Sequence, residues 1–132
     1  MRWIFVGLVT IHGLIHFMGF GQAFGLGEFP QLSQPITRGV GIAWLAAGVL
    51  ILATAVSVVA APSIWWAVGF GAVLVSQAVI VSSWHDARFG TIANVVLLVG
   101  VVLGFASQGP LSFRAEYRRS GFAWQRRCQW SW

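Results

Sequence analysis

Four apolar runs fill most of this chain, at residues 3–24, 39–61, 64–84 and 91–107. A soluble domain of 132 residues has too little interior to hide them all. At about 1.5 Å of rise per residue, the first three reach roughly 30 Å as helices, and the fourth falls slightly short unless it continues through Gly109. Hydrocarbon offers no partner to open backbone, so such runs are expected to be helices. The reading is all-α: a polytopic transmembrane four-helix up-down bundle in residues 1–109, then a basic, aromatic tail in residues 110–132. Composition agrees, with 58% hydrophobic residues, 8% charged residues and a mean hydropathy of +0.79.

The breaks between runs carry turn chemistry. Residues 25–37 form a polar loop with Pro30 and Pro35, and Thr37 stands where it would cap the second helix. Ala61-Pro62-Ser63 is a tight reversal, because Pro62 cannot continue a helix. Residues 85–90 make a short polar connection, after which Thr91 and Asn94 resemble a weakened capping box. Short connections force successive helices to run antiparallel. The first run also resembles the start of a secretory signal, but it is longer than a signal core, so it reads as a retained membrane helix.

All eight cationic residues are arginine, against three carboxylates, Glu28, Asp86 and Glu116. With both termini cytoplasmic, only Arg38 and Arg88 lie outside, as the positive-inside rule prefers. The tail interleaves Arg114, Arg118, Arg119, Arg126 and Arg127 with aromatic rings, a composition suited to an anionic inner leaflet rather than to nucleic acid. A single cysteine, Cys128, excludes a disulfide framework or a cysteine metal cluster within one chain. Small residues recur at packing intervals. Gly39, Ala43 and Ala47 lie along the second helix, and Gly100 and Gly104 form a GxxxG on the fourth.

The chemistry-bearing residues are few. His12 and His16 sit at i and i+4 inside the first run, so both imidazoles project from one helix face. Counting from Trp3 and from Ile64, His16 and Gln77 each come about 20 Å up their helices and share a layer. Asn94 follows near the start of the fourth helix, and Glu28, His85, Asp86 and Arg88 form an outer polar cluster. Charged groups in hydrocarbon cost around 2.5–3.5 kcal/mol on insertion scales, so neutral imidazoles with partners facing the interior are expected.

Several uses fit that placement. A haem needs an imidazole from each side of the iron, which one helix cannot supply. A metal ion would take both imidazoles and a carboxylate from Glu28 or Asp86. A quinone would need an imidazole and Gln77 beside aromatic walls. A purely structural role has the histidines bonding to Gln77, Ser76 or backbone carbonyls and holding the bundle together. No nucleophile–base–acid set and no phosphate-cradling loop is readable, so catalysis by this chain alone is not expected.

The stretches "HGLIHFMGFGQAFG", "QLSQPITRGVGIAWLAA", "SQAVIVSSWHDARFGTIANVVLL" and "GPLSFRAEYRR" resemble successive blocks of an uncharacterised family of bacterial four-helix integral membrane proteins. The resemblance spans roughly residues 7–119 and is most specific around Trp84, Asp86, Phe89, Gly90, Thr91 and Asn94. It implies the architecture but no activity. There is also a looser similarity in plan to DoxX-like membrane proteins. The expectation is an accessory or scaffold subunit of a larger bacterial inner-membrane complex, associating laterally with other membrane subunits or with itself. The alternative is a ligand-binding or redox module (haem, metal or quinone) using His12 and His16, with Gln77 and Asn94 positioned behind them.

Overall fold

In a computed structural model the described residues are 2–61, 63–110, 112, 116 and 117. They form α1 (Arg2–Ala23), α2 (Arg38–Ala60), α3 (Trp65–Ser82), a single turn α4 (Trp84–Ala87) and α5 (Gly90–Gln108). There is no strand among them. The four long helices are each long and apolar enough to cross a membrane, as in a multi-pass membrane protein. Apolar side chains cover their outer faces, among them Ile11 and Leu14 on α1 and Val99 and Val102 on α5.

The helix ends follow from local chemistry. Thr37 caps α2, its side chain accepting from Val40 N at 3.4 Å. The chain turns away from α1 at Gly25, whose φ of +66° favours glycine, with Leu26 N–H reaching back to Gly21 O at 2.9 Å. α2 stops as the Ala61 N–H bonds Ser57 O at 2.9 Å, while Pro62, expected to make that turn, lies outside the described residues.

Two expectations at the far end are corrected. α3 ends at Ser82 instead of continuing to Trp84, and the connection coils into α4. α5 starts at Gly90 behind Phe89 with no side-chain cap, so Thr91 and Asn94 form no capping box. Asn94 is instead drawn inside, at 2% exposure, where tertiary hydrogen bonds outweigh a cap that solvent can replace.

Around the bundle α1 packs on α2, α2 on α3 and α3 on α5, while α5 returns to α1 over a much smaller area. Two apolar clusters result. One, toward the termini, gathers Val9, Ile51, Trp65, Ala72, Leu97 and Val101. The other, toward the loops, gathers Trp44, Ala47 and Val79 with Leu32 and Ile36 from the first loop. Between them lies a polar layer.

Candidate functional site

α1 approaches α2 closely because glycines line the contact. A Cβ on Gly19 would overlap the Trp44 indole, so that glycine lets the ring lie flat on α1. A Cβ on Gly48 would come within 3.1 Å of Gly13 O and 3.3 Å of His16 Cβ. Trp44 then stacks beside His16 with centroids 5.3 Å apart, and the His12 and His16 rings meet edge to face at 4.8 Å.

Ser76 of α3 is the hub of the polar layer. Its Oγ lies 2.9 Å from His16 Nε2, 3.0 Å from Asn94 Oδ1 and 3.5 Å from His12 Nε2. His12 Nε2 is 3.0 Å from Asn94 Oδ1. Asn94 Nδ2 is 3.0 Å from Gln77 Oε1, and Gln77 Nε2 is 3.3 Å from Thr91 Oγ1. His16 Nδ1 donates to the His12 carbonyl at 3.1 Å. His12, His16, Ser76 and Asn94 are all buried, so three helices are tied together at mid-height. Satisfied groups of this kind hold a bundle without a hydrophobic driving force.

His12 and His16 thus share one face of α1, as the i, i+4 spacing predicted, and Asn94 of α5 meets His12 there. Gln77 does not meet His16, however, because it points toward α5 and reaches the imidazoles only through Asn94. Ser76, named among possible structural partners but not as a centre, is the residue sequence reasoning underweighted. A serine in an apolar helix carries no signal until its neighbour is known.

Above the layer, a cavity of about 450 Å³ lies between α1 and α5, bounded by His12, Ile15, His16, Trp44, Ile80 and Gly90, with Met18 and Ala93 on its sides. Gln31 and Leu32 of the first loop and Asp86 and Ala87 of α4 roof it. Ile15 and Phe89 line it while 49% and 69% exposed, so the cavity reaches the outer surface at the α1–α5 seam. The Trp44 indole Nε1 is buried and has no hydrogen-bond partner.

The roof is fastened by Asp86. Its carboxylate accepts from Ser33 N at 2.8 Å, Ser33 Oγ at 2.7 Å, Gln34 N at 3.0 Å and, with a proton on that nitrogen, His85 Nδ1 at 3.1 Å. The Ser33 hydroxyl, then the Gln34 N–H and His85, hold this carboxyl below its usual range, at about 2. Asp86 is paired with His85 and not with Arg88, whose guanidinium stands over the Phe89 ring at 5.1 Å. Glu28 is exposed in the loop, away from the cavity lining.

The small residues divide. Gly100 and Gly104 admit the Phe5 and Trp65 rings. Ala47 is fully buried and Ala43 is packed beside it, but Gly39 is exposed with open space at its Cβ position, and Gly41 makes the close contact instead, against Ala23. Arg114, Arg118, Arg119, Arg126 and Arg127 lie outside the described residues. Among those residues, no group of three His, Cys, Asp or Glu side chains comes together, so a metal ion would find two imidazoles and no carboxylate.

Fold and site together define a class: a multi-pass helical bundle with a hydrogen-bonded polar layer at the base of a side-opening cavity. The chain matches no protein-family model, no curated protein and no solved structure. The family resemblance therefore stands on the quoted sequence blocks alone.

Proposed function

We propose that this protein is a ligand-binding module of the bacterial inner membrane, with both termini cytoplasmic, taking a lipid-soluble molecule into the cavity between α1 and α5. One observation carries the reading: the cavity is lined by the His12 and His16 imidazoles, set in an apolar wall of Ile15, Met18, Trp44 and Ile80. The volume of about 450 Å³ suits a small ligand or the head of a larger one. The opening faces sideways, where a bilayer-dissolved molecule would arrive.

Purification in mild detergent followed by native mass spectrometry tests the proposal. The wild type should carry a lipophilic molecule that Ala93→Trp, which fills the cavity, loses. Preparations that stay ligand-free, with no thermal shift on adding bacterial lipid extract, would sink it. Reporter fusions placed at each end check the orientation, and opposite sides for the two ends would overturn that part.

A second reading, an accessory subunit, draws support from a groove between α2 and α3 lined by Gly39, Ala43, Leu74 and Ala78. Small residues of this kind admit a neighbouring helix closely. Cross-linking from Ala43→Cys to another membrane subunit would support it, and capture of lipid alone would count against it.

A further inference from the structure

We infer that the cavity is built for an uncharged lipid whose polar group is a carbonyl oxygen, an acceptor carrying no hydrogen of its own. This rests on the binding role proposed above and follows from counting protons in the polar layer.

His16 Nδ1 faces the His12 carbonyl, which only accepts, so a neutral His16 carries its proton on Nδ1. Its Nε2 must then accept, and the Ser76 hydroxyl proton is committed to it. With Asn94 Oδ1 facing both Ser76 Oγ and His12 Nε2, the four contacts made by His16, Ser76 and His12 require four protons. Three neutral groups supply only three. A charged imidazole would make up the deficit, but none of the contacts around the pair comes from a carboxylate, and a lone cation in hydrocarbon is expensive.

The two ends of a carboxamide are nearly isosteric, so turning Asn94 and Gln77 over preserves every distance. The Asn94 amide then donates to both Ser76 Oγ and His12 Nε2, the Gln77 amide donates to Asn94, and the Thr91 hydroxyl donates to Gln77. Every contact is satisfied with neutral groups. The consequence falls on His12, whose proton must now sit on Nδ1, a nitrogen with no hydrogen-bond partner among the described residues.

The cavity lining thus holds one unpaired N–H donor that a ligand can meet, His12 Nδ1, while the unpaired Trp44 Nε1–H is buried within the wall. Its acceptors are already used or peripheral. Asp86 receives four contacts, and Gln31 is exposed at the roof. No arginine lines the cavity, and the one charged lining residue is a carboxylate, so an anionic head is disfavoured. What remains is a neutral molecule that only accepts, of which lipid quinones and long-chain esters are two sources.

Two measurements test this. Nitrogen-15 NMR of histidine-labelled His85→Gln protein in nanodiscs should show both remaining rings neutral and protonated on Nδ1; an Nε2–H tautomer at His12 overturns the inference. Titration in nanodiscs then compares a short-tailed quinone and a fatty-acid methyl ester with the corresponding quinol and a fatty alcohol. One or both acceptor-only compounds should bind at least about tenfold tighter than the hydroxyl compounds, the better one naming the source, and His12→Phe should cost about tenfold. If His12→Phe fails to fold, the His12 tautomer and the order of the four affinities in the wild type decide. Equal binding of the hydroxyl compounds overturns the carbonyl assignment and leaves the cavity reading intact. Binding of none of the four overturns both.

Discussion

His16 Nε2 lies 2.9 Å from Ser76 Oγ, joining α1 to α3 across sixty residues of chain and across the middle of the bundle. The two helices otherwise have little contact, so this bond and its branches to Asn94 set their relative height.

Ser76→Ala should therefore destabilise the bundle by about 1–3 kcal/mol, because it leaves His16 Nε2 buried without a partner. Thermal unfolding in detergent measures it. A loss below about 0.3 kcal/mol would mean that the layer contributes nothing net, as for the weaker intramembrane hydrogen bonds.

Gly19→Ala places a methyl group in the Trp44 ring. Overpacking of this sort costs about 1–3 kcal/mol, and shrinking the ring with Trp44→Leu in the same chain should recover part of the loss. Strict additivity of the two substitutions would show that the helices separate freely at this contact.

Asp86→Ala removes every acceptor that fastens residues 33 and 34 over the cavity. Hydrogen exchange should accelerate at the Ser33 and Gln34 amides and stay unchanged at mid-helix positions such as Ile51. Unchanged exchange in the loop would show that Leu32 and Ile36, packed beside Trp44, suffice to hold it.

The same fastening has a pH signature. The Asp86 carboxyl is held down from 3.8 to about 2, so its contribution is fully present above pH 3.8 and is lost as pH falls toward 2. Loop amide exchange should be flat from pH 7 to about 4, once corrected for intrinsic rates, and rise below that. Loosening already near pH 6 would show that protonation of Asp86 is not what releases the loop.

Much of the fold was legible because the membrane requirement acts on local sequence. The four long helices appeared with ends within two residues, since apolar length and helix-ending residues mark them directly. The pairing of His12 with His16 on one face was equally readable from spacing. The pairing of Thr91 with Asn94 as a cap was misread, because an asparagine three residues after a threonine fits a cap as well as a buried bond, and only its neighbours distinguish the two uses. Trp44 carried a usable signal: an indole N–H within an apolar span needs a partner or a reason to lack one.

From sequence alone came the number of long helices, their lengths and the presence of imidazoles among them, because hydrocarbon imposes those terms on each segment separately. Tertiary structure decided which way most of the helices face. Apart from the His12–His16 pair on α1, few polar residues mark an inward face, and glycine contacts such as Gly19 under Trp44 set the rotation. That rotation brings Ser76 between the histidines, ties Asp86 to Ser33 and leaves a cavity where α1 and α5 barely meet. Each depends on contacts between residues far apart along the chain.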